Sequence, residues 1–160
     1  MAIKEGDSLP GVTLTEMVDG APTPTALADL TKGKKVVFFA VPGAFTPTCS
    51  AKHLPGFVEQ AGALKGKGVD EIVCLSVNDV FVMDAWGKAQ SAGGKVRMIA
   101  DGNGELAAAM GLQMDGSKFG MGQRSQRYAM ITNDGKVEKL LVEQGPGLDA
   151  SSAESVLGNL

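Results

Sequence analysis

Six consecutive apolar residues, Val36-Val37-Phe38-Phe39-Ala40-Val41, run into Pro42-Gly43, and this junction constrains the fold more than any other part of the chain. The run is short, β-branched and aromatic, which reads as a buried central strand. Residues 50–59, Ser-Ala-Lys-His-Leu-Pro-Gly-Phe-Val-Glu, read as a helix. Between them lies Pro42-Gly43-Ala44-Phe45-Thr46-Pro47-Thr48-Cys49. A cysteine therefore stands in the first turn of a helix that leaves a strand. Unpaired backbone N–H groups and the positive end of the helix dipole point at that turn. Both favour thiolate over thiol, and thiolate is the nucleophile.

The chain has 160 residues, enough for one domain with a substantial core. Hydrophobic residues at 44% and charged residues at 21% are the composition of a globular protein. A net charge of −3 and the lack of a Lys/Arg cluster give no footing for a polyanion, so no nucleic-acid partner is expected. No apolar run approaches the roughly 18 residues of a membrane span. The start, Met1-Ala-Ile-Lys-Glu-Gly-Asp, shows no apolar signal region. No membrane partner and a cytoplasmic location are the expectation. Cys49 and Cys74, 25 positions apart, form no CxxC pair. With the one histidine, His53, they cannot fill a four-ligand zinc site without carboxylates, so no metal is expected. So few cysteines speak for a reducing compartment, where such a thiol is more often catalytic or redox-active than structural.

Residues 1–34 read as irregular, with a short strand at 12–15, a break at Pro22-Thr23-Pro24 and a helical turn at 26–30. A helix over about 48–64 is stopped by Gly66 and Gly68. Pro55 inside it predicts a kink or a split, because it removes a hydrogen bond and clashes with the preceding turn. Alternation in a second strand, 70–77, sets Ile72, Cys74 and Ser76 on one face and Val73, Leu75 and Val77 on the other. Asn78-Asp79 caps a helix at 80–92. A third strand at 96–100 and an alanine-rich helix at 104–110 follow. Residues 113–124 read as a long glycine-rich loop, where function concentrates. Residues 127–132 and 136–142 form a hairpin about Asp134-Gly135. Ser151 or Ser152, with Glu154, caps a last helix at 153–160. Strands alternating with helices and closed by an antiparallel pair make an α/β fold, a central mixed β-sheet flanked by helices. A thioredoxin-like arrangement fits this order, although a fold alone licenses no activity.

Peroxide reduction is one chemistry that a nucleophilic thiolate performs. That reaction needs a thiolate, a slot for two oxygens, and hydrogen bonds to them as the O–O bond breaks. Thr46, three residues before Cys49, offers a hydroxyl that donates and accepts. Pro42 and Pro47 rigidify the turn and shield the sulfur from over-oxidation. A first-turn N–H is a further donor to developing charge. The cation comes from Arg124 or Arg127 rather than from mobile Lys52. Arg127 opens a strand, and its planar guanidinium is always charged. His53, one turn after Cys49, has two readings: a Cys–His nucleophilic pair or a partly exposed helical histidine. Phe119 and Met121 either wall the substrate slot or anchor their loop. Asp101-Gly-Asn-Gly-Glu105 lacks a calcium-ligand series and reads as a turn.

Pro42-x-x-x-Thr46-x-x-Cys49 resembles the active-site motif of the peroxiredoxins. With Ser76-Val-Asn-Asp79, Ala85-Trp86 and Arg124-Ser-x-Arg127-Tyr128, essentially the whole chain resembles their type II, peroxiredoxin-5-like, subfamily. The resemblance implies one thioredoxin-fold domain over residues 1–160 that reduces hydrogen peroxide and alkyl hydroperoxides without a cofactor. It implies Cys49 as the peroxidatic cysteine, Thr46 as the substrate-bonding residue, Pro42 as the shield and Arg127 as the activating arginine. Resemblance, not spacing, selects Arg127 over Arg124. Gly43 and Phe119 are further candidate substrate-binding positions. Animal members carry a resolving cysteine where this chain has Gly147-Leu-Asp-Ala150; plant and bacterial members carry one on the strand of Cys74. Cys74 either resolves the sulfenic acid or packs in the core. The reductant implied is glutaredoxin/glutathione, with thioredoxin second. A homodimer near the active site is implied too; Phe45, Phe81, Met83 and Trp86 either form its patch or belong to the core and a helix face. The alternative function is a non-catalytic peroxide sensor or redox signalling module.

Overall fold

Alternation of the apolar run sends its side chains into two separate cores. The structure, a computed structural model, describes residues 2–145 and 147–160. The run lies in β3 (Lys35–Val41), in which Val36 through Val41 are at most 1% exposed. It follows a hairpin of β1 (Thr13–Val18) and β2 (Ala21–Ala26) and the short helix α1 (Leu27–Thr31). After the Cys49 turn come α2 (Leu54–Gly66), β4 (Glu71–Ser76), α3 (Val80–Ala89), β5 (Arg97–Ala100) and α4 (Glu105–Met110). Then follow β6 (Gln113–Asp115), β7 (Gln123–Ser125), β8 (Tyr128–Asn133), β9 (Lys136–Val142) and α5 (Ala153–Gly158).

Seven strands form one mixed sheet in the order β2-β1-β5-β4-β3-β8-β9. β3, β4 and β5 are parallel neighbours, and β8 runs antiparallel to β3. Val37, Phe39 and Val41 join Ile72 and Cys74 beneath Phe57, Trp86 and Val156 of the helices α2, α3 and α5. Val36, Phe38 and Ala40 join Val73 and Leu75 against Leu27 of α1 and Leu106 and Met110 of α4. Each such buried aliphatic or aromatic side chain contributes about 1.5–3 kcal/mol. Among the described residues no helix is long and apolar enough to cross a membrane.

Two segments depart from the sequence reading. Residues 21–26 are a strand, not a break. β2 is the sheet's edge, and Pro22 and Pro24 face Met17 and Thr15 two positions apart, so both missing N–H groups fall on the same side of the strand. An edge strand tolerates proline where its N–H side meets solvent. Residues 113–125 fold as a hairpin, β6 paired with β7 across a return that carries a short 3-10 turn at Ser117–Phe119, rather than as an open loop. The return is tight: Gly116 N–H donates to the Gly122 carbonyl at 2.6 Å, and Gly120 and Gly122 take φ of 70° and 66°.

The junction between β5 and α4 is held by Asp101, which is 5% exposed. Its carboxylate accepts from the N–H groups of Leu106 and Ala107, both at 3.0 Å. Asp101→Ala leaves both donors at a helix start unpaired and is expected to cost about 2 kcal/mol in urea unfolding. An unchanged midpoint would show that water replaces the carboxylate.

Candidate active site

β3 delivers its chain to Pro42, and the next seven residues fold into a turn whose polar atoms are committed to particular partners. Ala44 N–H donates to Asn78 Oδ1 at 2.9 Å, and Ser76 Oγ donates to the same oxygen at 2.6 Å. Phe45 then takes φ 64°, a conformation that costs a bulky side chain of order 1–3 kcal/mol. Thr46 Oγ1 donates to the Gly43 carbonyl at 2.7 Å. A carbonyl only accepts, so the hydroxyl hydrogen is spent there and the oxygen's lone pairs face outward as acceptors. A Cβ on Gly43 would stand 3.1 Å from Thr46 Cγ2 and 2.8 Å from Met121 Cε, so a larger residue there would have to displace the Met121 methyl and press on Thr46.

The helical segment begins at Pro47, with Ser50 N–H donating to the Thr46 carbonyl at 2.9 Å. Cys49–His53 is a π-turn, closed by Leu54 N–H on the Cys49 carbonyl. Pro55 explains it. Its ring would strike the carbonyl of Ala51 in a regular α-turn, and a wider turn relieves that clash. The split predicted from Pro55 thus takes the form of one wide turn ahead of α2. Thr48 makes no side-chain capping bond, and Pro47 is exposed while Pro42 is half-buried.

Cys49 is wholly buried, on the face of the sheet that carries Phe39 and Cys74. Arg127, one residue before β8, reaches it with Nη2 at 3.2 Å from Sγ. Nη1 donates to His53 Nδ1 at 2.9 Å. Since guanidinium only donates, Nδ1 is the acceptor, and Nε2 carries the hydrogen that goes to the Ser151 carbonyl at 2.9 Å. His53 is therefore not a partly exposed histidine, nor does it bond the sulfur; it is 1% exposed and addresses Cys49 through Arg127. Burial holds its pKa down, to about 4; the Ser151 carbonyl and Glu143 pull upward and Arg127 further downward. The ring tilts against Phe39 and Phe57, with centroids 5.0 and 5.6 Å away.

Arg124 lies elsewhere. It donates to the carbonyls of Met121 and Val77 at 2.8 and 3.0 Å, tying the small sheet to the end of β4. Phe119 stands 77% exposed, and it is Met121 whose methyl meets Gly43. Lys52 is exposed. Cys74, opposite Phe39 in the register, is wholly buried, and burial pushes its thiol well above the ordinary range, with Cys49 adding to the rise. Both cysteines are free. Of the expected apolar patch, Met83 and Trp86 are core, whereas Phe45 and Phe81 are 55% and 64% exposed. Trp86 supports the turn instead, donating from Nε1 to Ser50 Oγ at 3.0 Å. A cleft of about 470 Å³ opens beside the site, lined by Pro42, Met114, Gln126, Arg127 and Glu143 among others. Among the described residues no group of three or more His, Cys, Asp or Glu is placed to hold a metal ion.

The redoxin family model matches residues 4–157. Peroxiredoxin-2E-2, chloroplastic, of Oryza sativa subsp. japonica is 51% identical over 97% of this chain and 71% of its own length. Peroxiredoxin-2B of Arabidopsis thaliana is 48% identical over 97% of this chain and 96% of its own length. The crystal structure of reduced Prx3 in complex with hydrogen peroxide from Vibrio vulnificus superposes with a TM-score of 0.95 at 49% identity, covering 98% of both chains.

The depressed His53 pKa makes stability depend on pH. Between its ordinary value of 6.5 and about 4, the unfolded chain takes up a proton that the folded chain refuses. Stability is therefore full above pH 6.5 and falls on acidification to about pH 4, by about 3 kcal/mol for one such group. His53→Gln is expected to flatten the slope of unfolding free energy between pH 6.5 and 4.5. An unchanged slope would show that another group carries it.

Proposed function

The chain belongs to the redoxin family, as a type II peroxiredoxin of thioredoxin-like fold, and from that premise we propose how its residues divide the work. It is a thiol-dependent peroxidase, an antioxidant oxidoreductase that acts on peroxides. Hydrogen peroxide and alkyl hydroperoxides are the proposed substrates; a relative solved with hydrogen peroxide supports the first. The observation that carries the assignment of roles is the Arg127 Nη2 contact with the Cys49 sulfur.

In the proposed cycle the Cys49 thiolate attacks one peroxide oxygen. An S–O bond forms as the O–O bond breaks, and the leaving oxygen takes a proton and departs as water or an alcohol. Arg127 is the donor to the peroxide and the charge partner of the sulfur. Thr46, with its hydrogen already on Gly43, accepts the peroxide hydrogen. Pro42 and Gly43 shape the turn that limits access. Phe119 is left out of the substrate slot, since it points to solvent in the single chain.

Cys49 is then a sulfenic acid. A second thiol condenses with it, releasing water, and a further thiol reduces the disulfide. Cys74 is a poor candidate in the folded state, because its buried thiol resists ionisation. We assign resolution to glutathione or a glutaredoxin, with thioredoxin second. Exposed Phe45, beside Trp86, and Phe81 on α3 support a homodimer that covers this rim. Two free thiols fit a reducing compartment, and the cytoplasm is the proposed one; the rice relative carries chloroplastic in its name.

Cys49→Ser is expected to reduce peroxide consumption to background, and retained turnover would sink the mechanism. Arg127→Gln should lose roughly 100-fold in the rate with peroxide, and Arg124→Gln less than about tenfold. The reverse order would assign the activating charge to Arg124. After one equivalent of peroxide without reductant, intact mass should show one added oxygen and one remaining thiol; loss of both thiols within a chain would make Cys74 the resolving residue.

A further inference from the structure

Glu143, just past β9, is far from Cys49 in the chain but is joined to it by an unbroken series of contacts. Its Oε2 accepts from Ser151 N–H at 2.7 Å, Ser151 Oγ at 2.6 Å and Asp149 N–H at 2.9 Å. Three donors on one oxygen gather residues 149–151 into a fixed turn. Ser151, wholly buried, directs its carbonyl to His53 Nε2. His53 Nδ1 accepts from Arg127, and Arg127 donates to Cys49.

We propose that Glu143 and Ser151 are positioning residues for the peroxidase reaction: they hold the Ser151 carbonyl on His53, which keeps the opposite ring nitrogen available as the acceptor that aims Arg127 at the Cys49 sulfur. The inference rests on the peroxidase reading above. Its physical core is tautomer selection. With hydrogen on Nε2, every group in the series is paired. With hydrogen on Nδ1, two donors would face each other across 2.9 Å and the Ser151 carbonyl would lose its partner. Burial makes each unpaired group costly. The planar guanidinium then transmits the choice, because fixing Nη1 on His53 fixes where Nη2 points.

The groups around the imidazole agree. Phe39 of β3 and Phe57 of α2 supply apolar walls that exclude water. Arg127 is the charge on one side, with Cys49 beyond it, and Glu143 is the charge behind Ser151 on the other. Burial pushes the Glu143 carboxyl upward, but the bonds from Ser151, Asp149 and Ala150 outweigh it and hold the carboxyl below its ordinary range. A carboxylate, rather than a carboxylic acid, is thus the form that gathers the turn. The carboxylate also lines the cleft beside Pro42 and Arg127, so it lies within reach of solvent.

His53 is the single histidine of the chain, so selective ¹⁵N labelling of histidine reports on this ring alone. The wild-type protein should show hydrogen on Nε2 and a bare Nδ1. Glu143→Ala should give a mixture of tautomers and a roughly tenfold fall in the single-turnover rate with hydrogen peroxide, the scale of one lost hydrogen bond. Glu143→Gln keeps an acceptor and should stay within roughly threefold of wild type, with the tautomer retained. If the alanine variant does not fold, Ser151→Ala removes only the hydroxyl contact and should shift the tautomer in the same direction to a smaller extent, with a smaller loss of rate. A wild-type rate in Glu143→Ala overturns the proposal, and so does a slow variant whose ring stays wholly Nε2–H. If the wild-type chain itself consumes no peroxide, the peroxidase reading fails, and the ring signals still decide whether Glu143 sets the imidazole.

Discussion

A sulfur without solvent exposure is held 3.2 Å from a guanidinium nitrogen, and the rest of the structure serves that pairing. An ionised sulfur buried without a partner would be too costly to persist. The partner charge must therefore come from a rigid element. The β3–β8 register supplies it. Ala40 pairs with Tyr128, so the end of the strand that leads to Cys49 lies beside the start of the strand that follows Arg127. Tyr128 belongs to one core and Ala129 to the other, so alternation turns Arg127 to the side of Ala129, where Cys49 lies. A slip of one residue would send the guanidinium to the opposite face.

The same pairing explains why His53 is buried. A guanidinium approaching through the protein must satisfy more than one of its five N–H donors, and the imidazole accepts from Nη1 while the sulfur accepts from Nη2. A neutral ring is needed, because a second positive charge beside Arg127 would oppose the first. Aromatic walls from Phe39 and Phe57 keep the ring neutral by excluding water. Burial, hydrogen bonding and charge thus select one protonation state, and that state is the one that accepts from Arg127.

The legible part of the chain was what local pattern decides. Residues 36–41, the alternation of Ile72 and Cys74 against Val73 and Leu75, the Asp79 cap on Val82 and the Asp134-Gly135 turn all follow from spacing and backbone preference. Resemblance named Cys49, Thr46, Pro42 and Arg127, and the fold gathers Thr46 and Pro42 on the turn that leads to Cys49 and brings Arg127 to its sulfur. His53 was not legible as a buried ring. Its partners Arg127 and Ser151 lie 74 and 98 positions away, and helical periodicity sees neither. β2 was hidden by prolines whose tolerance depends on being at an edge, which is a property of the sheet and not of the segment. The small sheet of β6 and β7 was hidden by glycines that read as a loop but permit a tight return.

Among the described residues, the one aromatic side chain with a positive φ stands where the chemistry is. Phe45 carries a positive φ four residues before Cys49, and the π-turn begins at Cys49 itself. Pro55 imposes the wide turn from within the chain, whereas the positive φ of Phe45 must be held by contacts from outside the turn. Asn78 holds the N–H of Ala44, and Trp86 stands beside the Phe45 ring while bonding Ser50 on the far side of the cysteine. Both anchors come from the segment just after β4, the parallel neighbour of β3. The β4–α3 connection, through Asn78, and α3, through Trp86, therefore grip the reactive turn on two flanks of the sulfur. Departures from local preference of this kind persist only where surrounding contacts outweigh them, and such contacts are built around function. The strained turn and the wide turn are one device: together they lower a cysteine into the core while leaving its Arg127 face addressable.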